Sequence, residues 1–97
     1  MYQTQTLSSF TSMAVSSVPE SEGAYQLFDA GRSLIYIGRS DNLRRRLNEH
    51  LNSSDTRIRS ASYFTYEVTS LSISREQQLL EEYQRSHGRL PRCNDRV

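Results

Sequence analysis

The side chains of this sequence that could perform chemistry together are two phenols, a guanidinium, an imidazole, a carboxylate and an amide. They belong to Tyr25, Tyr36, Arg46, His50, Glu76 and Asn94. A carboxylate can hold one Mg²⁺, and an arginine can donate two parallel hydrogen bonds to a phosphate as its negative charge grows. A phenol, with an ordinary pKa near ~10, is a weak base unless a nearby cation lowers that pKa. The set is therefore suited to metal-assisted hydrolysis of a phosphate ester.

The basic residues point to the same kind of substrate. All 12 are arginine, although the net charge is only +1. One group contains Arg39, Arg44, Arg45 and Arg46, and a second contains Arg85, Arg89, Arg92 and Arg96. Clustered arginines favour a surface that binds phosphates, because the guanidinium matches phosphate geometry. The alternative is a compositional bias in which arginine simply replaces lysine.

Size and composition exclude several classes of protein. A chain of 97 residues has room for one domain, and no stretch approaches the roughly 18 apolar residues of a membrane span. The single cysteine, Cys93, excludes an internal disulfide and a cysteine-rich zinc site, and it fits a reducing compartment. The N-terminus has no cationic start followed by an apolar run, so we expect no secretory signal. We expect a cytoplasmic protein without membrane association.

The elements that must position these residues begin with a hairpin. Alternating side chains over residues 23–28 and the apolar run from Leu34 to Ile37 predict two antiparallel strands, the second spanning residues 33–38. Residues 29–32 form the turn between them, in which we expect Gly31 to adopt a positive φ. Residues 63–69 have strong strand propensity and predict a third strand.

Two main helices complete the predicted domain. Ser40 or Asp41 is the expected N-cap of a helix over residues 42–51, whose leucines recur every four residues. Residues 56–61 predict a short turn or helix. Ser72 or Ser74 is expected to cap a last helix that runs to about Ser86 and stops at Gly88. The predicted buried face of that helix consists of Ile73, Leu79, Leu80 and Tyr83.

The first 21 residues are rich in Ser, Thr and Gln and have little periodicity. We expect them to form a disordered leader, with at most a loosely docked segment around residues 10–15, and residues 22–97 to form the domain. The expected fold is α+β: a small, three-stranded, mainly antiparallel sheet flanked by helices.

The motifs along this domain resemble those of the GIY-YIG nuclease family. Gly23-Ala24-Tyr25 and Tyr36-Ile37-Gly38 are similar to the two motifs that name the family, and Arg46 and His50 follow at the family's spacing. The segments Glu76-x-x-Leu79-Leu80 and Pro91-x-x-Asn94 are similar to its glutamate helix and closing asparagine. In the middle of the first motif, Ala24 stands where the family usually has a larger aliphatic residue. Residues 85–90 resemble an insertion between the glutamate helix and the closing asparagine, so the separation of these two motifs differs from that in compact relatives.

The resemblance implies a metal-dependent endonuclease that hydrolyses DNA with low intrinsic sequence specificity, using Mg²⁺ or Mn²⁺ held by Glu76. Arg39, Arg44 and Arg45 would bind substrate, and a tyrosine would position or deprotonate the attacking water. The catalytic residues would be Tyr25, Tyr36, Arg46, His50, Glu76 and Asn94. The DNA could be single-stranded or branched. The alternative is a catalytic subunit, or a module that binds nucleic-acid structures, that needs a partner protein for targeting or activity. The length supports this alternative, since no separate reader domain fits.

Three glutamates compete for the metal. At about 100° per residue, Glu76 falls within the apolar stripe of its helix, whereas Glu81 and Glu82 fall on the far side. The family's order of residues also selects Glu76. The number of residues between the glutamate and the closing asparagine in the family favours Glu82 over Glu76. Glu82 therefore remains the alternative.

Overall fold

The computed structural model describes residues 7–94, and its central feature is a four-stranded antiparallel sheet in the order β1-β4-β2-β3. The elements along the chain are β1 (Ser8–Ser9), α1 (Ser12–Val15), β2 (Gly23–Phe28), β3 (Leu34–Ser40), α2 (Leu43–Leu51), α3 (Thr56–Arg59), β4 (Tyr63–Val68) and α4 (Ser72–His87). The predicted α+β class is confirmed. The three expected strands are β2, β3 and β4, and the short β1 adds a fourth that the sequence did not predict.

The register of the β2–β3 hairpin decides which face each side chain occupies. Tyr25 pairs with Gly38 and Leu27 pairs with Tyr36, so these side chains share one face of the sheet. Helix α2 packs on that face. Arg39, paired with Ala24, points to the other face, which α4 covers. β3 is the edge strand of the sheet, and the C-terminal tail covers part of its outer side.

The N-terminal segment belongs to the core. Val15 and Val18 are almost fully buried in the same apolar cluster as Tyr25 and Leu27, and the Thr11 side chain caps α1. The expectation of a disordered leader up to residue 21 is therefore wrong over residues 8–18, and residues 1–6 lie outside the described part. The polar composition concealed the segment, because Val15, at the end of a helix of one turn, and Val18, after that helix, give no readable period.

The turn of the hairpin differs in detail from its prediction. The residue with a positive φ is Arg32, at 66°, and Gly31 does not have one. Asp29 explains why, because its Oδ1 accepts hydrogen bonds from the backbone N–H groups of Gly31 and Ser33. This side-chain bridge holds the turn in a conformation that places Arg32 in the left-handed region.

The helix caps also differ. Asn42, rather than Ser40 or Asp41, caps α2 by accepting a hydrogen bond from the backbone of Arg45. Helix α4 begins after Leu71 without a side-chain cap, so the expected cap at Ser72 or Ser74 is wrong.

The predicted buried face of α4 is only partly present. Ile73 is 65% exposed, whereas Leu79, Leu80 and Tyr83 are half-buried. Gly88 ends the helix with a φ of 75°, as expected for a left-handed C-cap. Within residues 7–94, no helix combines the length and apolar character that crossing a membrane requires.

Candidate active site

Three aromatic rings meet between the hairpin and α2. The hydroxyl oxygen of Tyr25 lies 2.7 Å from Nε2 of His50, and both side chains are buried. The ring of Tyr36 packs against both: its centroid lies 5.4 Å from that of His50, in an edge-on arrangement, and 6.0 Å from that of Tyr25. The structure therefore brings together three of the residues that the sequence singled out.

Gly38 makes room for this cluster. A Cβ atom at this position would lie 2.6 Å from Cζ and the hydroxyl oxygen of Tyr25, and 2.8 Å from Cε2 of Tyr36. Such distances are far shorter than ordinary van der Waals contact. The glycine of the second motif is thus required by the two tyrosine rings, and its backbone φ is not positive.

Arg46 joins the cluster from α2. Its Nη1 donates a hydrogen bond to Oε1 of Glu49 at 2.9 Å, and the guanidinium also interacts with Tyr25. The Glu49 hydrogen bond is the largest of the effects that raise the pKa of Arg46. Sequence reasoning missed Glu49, although its position three residues after Arg46 on a helix is a usable signal.

The protonation states follow from burial. Burial is the main cause that raises the pKa of Tyr25 well above 10, with the neighbouring Tyr36 adding to it and Arg46 opposing it. Burial, followed by the charge of Arg46, lowers the pKa of His50 to about 4. Near neutral pH, Tyr25 is a phenol and His50 a neutral imidazole. When Nδ1 carries the ring hydrogen, Nε2 of His50 accepts the hydroxyl hydrogen of Tyr25.

Glu76 lies on the other face of the hairpin, beside Arg39. Its carboxyl group is half-buried, and burial raises its pKa while Arg39 opposes the rise. Glu81 and Glu82, by contrast, are exposed. The predicted contrast between Glu76 and the two later glutamates is therefore confirmed, whereas Ile73 of the predicted stripe is exposed.

A hydrogen-bonded network orients Arg39. Its Nε donates to Oγ of Ser72 at 2.8 Å, and that hydroxyl donates to Oε2 of Glu22 at 2.6 Å. Nη2 of Arg39 lies 3.9 Å from the same Glu22 oxygen. Glu22 and Ser72 were not anticipated, because they are 50 residues apart in sequence. Glu76 is not a member of this hydrogen-bonded network.

The two groups of residues are arranged along one strand. Tyr36, with the rings and Arg46 on its face, is three residues from Arg39, which corresponds to about 10 Å along β3. The charge that acts on Glu76 is that of Arg39 and not that of Arg46. Within residues 7–94, no hydrogen bond or ion pair joins Glu76 to the tyrosines.

Asn94 fastens the C-terminal tail to that edge. Its Oδ1 accepts from the backbone N–H of Ile37 at 2.8 Å, and its Nδ2 donates to the Ile37 carbonyl at 2.9 Å. The backbone N–H of Cys93 donates to the carbonyl of Ile35. The tail thus covers the part of β3 around Tyr36 and leaves the edge beyond residue 37 uncovered by these bonds.

The other two predicted substrate-binding arginines contact the protein itself. Nε of Arg44 donates to the carbonyl of Val18, and its Nη1 lies 3.2 Å from Oε2 of Glu20. Arg45 is 2.7 Å from Asp41 and 3.8 Å from Glu49. Arg44 therefore anchors the N-terminal segment to α2, and a role for either residue in binding substrate stays a prediction.

The donor set fits a cation held by one carboxylate. Among residues 7–94, no three side chains of His, Cys, Asp or Glu converge in a way that could enclose a metal ion. Mg²⁺ gives up its water reluctantly and commonly uses only one or two protein carboxylates. Glu76, half-buried and outside the Arg39 network, is the carboxylate at this site that could serve.

Comparison with known proteins places this geometry in a family. Residues 21–88 match the family described as the GIY-YIG catalytic domain. UvrABC system protein C of Rickettsia canadensis (strain McKiel) is 32% identical over 74 residues, covering 68% of this chain and 12% of that protein. The same protein of Porphyromonas gingivalis (strain ATCC BAA-308 / W83) is 34% identical over 76 residues, covering 69% and 13%. The chain thus spans about an eighth of these relatives.

A solved structure has the same fold. It is a point mutant of the GIY-YIG N-terminal endonuclease domain of UvrC from Thermotoga maritima, bound to its catalytic divalent cation. The sequence identity is 26% and the TM-score 0.65, and the match covers 74% of this chain and 87% of that one. The four-stranded sheet and its helices are therefore a known arrangement.

Proposed function

This chain belongs to the GIY-YIG catalytic domain family, and from that premise we propose that it is a metal-dependent endonuclease that hydrolyses DNA phosphodiester bonds with low intrinsic sequence specificity. The observation that carries the proposal is the 2.7 Å contact between Tyr25 and His50, with Arg46 and Tyr36 against it. A cluster of buried, hydrogen-bonding rings beside a guanidinium is an arrangement suited to a phosphate and a water molecule.

The scissile phosphate would lie across the edge of β3. Arg46, on one face, would donate hydrogen bonds to its non-bridging oxygens, where negative charge increases in the transition state. Glu76 would reach the phosphate from the other face. Arg39, whose guanidinium is held by Ser72 and Glu22, would contact the nucleic-acid strand on the same face of the sheet as Glu76.

The attacking water would contact Tyr36. Tyr36 is only half-buried, whereas Tyr25 is 1% exposed, so the Tyr36 hydroxyl is the one within reach of solvent. The water oxygen would bond to phosphorus as the bond from phosphorus to the leaving oxygen breaks. The proton lost by the water would pass to bulk solvent on the exposed side of Tyr36, while Tyr25, hydrogen-bonded to His50, packs against the Tyr36 ring and holds it in place.

Glu76 would hold Mg²⁺ or Mn²⁺. Bound there, the cation would polarise the phosphate and stabilise the leaving oxygen. Burial raises the pKa of this carboxyl group, and a bound cation would favour its ionised form. The divalent cation bound by the Thermotoga maritima domain supports the use of such a cation here.

The test is a cleavage assay with the purified chain. Single-stranded, duplex and branched DNA are incubated with Mg²⁺, with Mn²⁺ and with chelator, alongside a mock purification that controls for contaminating nucleases. We expect products only when a divalent cation is present, without strong preference for sequence. Cleavage that persists in chelator would contradict the metal-dependent chemistry.

A second candidate is a catalytic subunit that depends on a partner protein. The observation that favours it is the identity of the relatives, since UvrABC system protein C belongs to a named system and only 12% of its length is matched. If the isolated chain is inactive on all three DNA substrates but cleaves after a partner is added, this candidate replaces intrinsic activity.

A further inference from the structure

A basic groove, separate from the catalytic residues, lies at the turn of the β2–β3 hairpin. It has a volume of about 590 Å³ and is lined by the turn, the last turn of α4 and the C-terminal tail. The turn contributes Arg32, the tail contributes Arg89 and Arg92, and α4 contributes Tyr83 and His87. Two of the three arginines belong to the C-terminal arginine group, which has no role in the proposed catalytic site.

The groove has an excess of positive charge. Among the described residues that line it, the one acid is Asp29, whose Oδ2 lies 3.3 Å from Nη1 of Arg92. The other oxygen of Asp29 is occupied by backbone N–H groups of the turn. Arg89 is exposed and forms no ion pair with any residue in the described range 7–94. One carboxylate thus faces three guanidiniums, which leaves about two positive charges for a ligand.

Arg32 is directed by an unusual backbone conformation. Its φ of 66° lies in the left-handed region, which non-glycine residues occupy only when surrounding contacts hold them there. The exposed guanidinium lies over the ring of Tyr63, 5.4 Å from its centroid. This placement keeps the charge at the rim of the groove without neutralising it.

Two aromatic rings form part of the wall. Tyr83 and His87, one turn apart on α4, stack with centroids 4.0 Å apart and an interplanar angle of 13°. Stacked rings beside arginines are the combination with which proteins bind single strands, because every base presents a π face and every nucleotide a phosphate. A folded duplex presents no free base face to such a pair.

We propose that this groove binds a single strand of nucleic acid, with the arginines on its phosphates and a base against the Tyr83–His87 pair. Tyr83 follows Glu76 by seven residues on α4, a rise of about 10 Å, which is roughly three nucleotide steps at ~3.4 Å each. The groove would therefore hold the same strand that is cut at Glu76. This last point rests on the proposed function; binding by the groove does not.

The test is a binding experiment without turnover. The full chain carrying Glu76→Gln is titrated, in chelator, against a fluorescent single-stranded oligonucleotide of about 20 nucleotides at several salt concentrations. The groove variant is Arg32→Gly with Arg89→Ala; glycine accepts the positive φ, so the backbone of the turn keeps its conformation. The matched control, Arg59→Ala with Arg85→Ala, removes two exposed arginines outside the groove.

We expect the groove variant to bind about tenfold more weakly and its salt dependence to fall by about two phosphate contacts, with the control within about twofold of the parent. Unchanged melting temperatures exclude unfolding as the cause. Equal losses in both variants, or no loss in either, would overturn the proposal. Equal weakening of duplex binding would also overturn it. Because metal and turnover are absent, failure here leaves the proposed nuclease activity untouched, and success does not depend on it.

Discussion

The hydroxyl oxygen of Tyr25 lies 2.7 Å from Nε2 of His50, and this contact links the hairpin to α2 through two buried polar groups. Neither group has solvent to replace its partner, so each depends on the other for its hydrogen bond. The contact fixes the position of His50, and the ring of Tyr36 packs against it. Stability and chemistry are therefore coupled at this point.

The buried His50 predicts that stability depends on pH. Its pKa is about 4 in the folded state, below the value near 6.5 expected when unfolded, so the unfolded chain binds more protons between these values. The contribution is fully present above pH ~6.5 and is lost as the pH falls toward ~4, amounting to about 3 kcal/mol. Urea denaturation at several pH values measures it.

His50→Gln is the matched variant for that measurement. We expect it to flatten the dependence between pH ~4.5 and ~6.5, because glutamine does not titrate. The lowered pKa of Asp29 contributes only below its ordinary value of 3.8, and the raised pKa of Glu76 acts above 4.5 with the opposite sign, so the difference between wild type and His50→Gln isolates the histidine. The same pH dependence in both proteins would show that His50 is not held neutral.

Gly38→Ala tests the space that the two tyrosines occupy. The added Cβ would lie 2.6 Å from the hydroxyl oxygen of Tyr25, and we expect a loss of about 1–3 kcal/mol in the free energy of unfolding together with reduced cleavage. Gly31→Ala is the control, since its Cβ would meet only Asp29 Oδ1, at 3.5 Å. Denaturation and cleavage assays of both variants provide the comparison. Equal effects at the two positions would contradict the steric argument.

Asn94→Asp tests the attachment of the tail. The substitution preserves the acceptor for the Ile37 N–H but places an oxygen against the Ile37 carbonyl, so we expect a loss of about 1–3 kcal/mol. Cleavage should also fall, because Tyr36 lies on the strand that the tail secures. Asn52→Asp, which disrupts only an exposed hydrogen bond to Asn48, is the control. Calorimetric melting distinguishes them, and a silent Asn94→Asp would remove the structural role.

Arg46→Lys tests the guanidinium. Lysine preserves the charge but cannot donate two parallel hydrogen bonds to a phosphate, so we expect cleavage to slow by about 10²–10³-fold under single-turnover conditions. Arg59→Lys, at an exposed position, should leave the rate unchanged. An Arg46→Lys rate equal to that of the wild type would mean that charge alone suffices.

Local patterns were sufficient to predict the hairpin, α2 and the phase of α4. Glu76 could be chosen from three glutamates because a helix has a fixed angular period, and the structure leaves Glu81 and Glu82 exposed. The motif tyrosines and His50 could be grouped because their spacings are those of a recognisable family. Each of these inferences uses residues that are close in the chain.

The remaining features depend on contacts between distant residues. The packing of Val15 and Val18 against Tyr25 has no periodic signature, and the Ser72–Glu22 bond joins positions that only the finished fold brings together. Burial of His50, which sets its pKa, likewise depends on the packed domain and not on its neighbours in sequence. Sequence patterns could not show that Glu76 and the tyrosines occupy opposite faces of the hairpin.

The most direct measurement of the central claim compares the cleavage rates of Glu76→Gln and Glu82→Gln in Mg²⁺, with both variants shown to be folded by their circular dichroism spectra. A single carboxylate that holds the metal predicts that Glu76→Gln loses at least about 100-fold in rate, and that the exposed Glu82→Gln stays within about twofold of the wild type. Loss of cleavage in Glu82→Gln, with Glu76→Gln active, would contradict the assignment of the metal and the placement of the phosphate across β3.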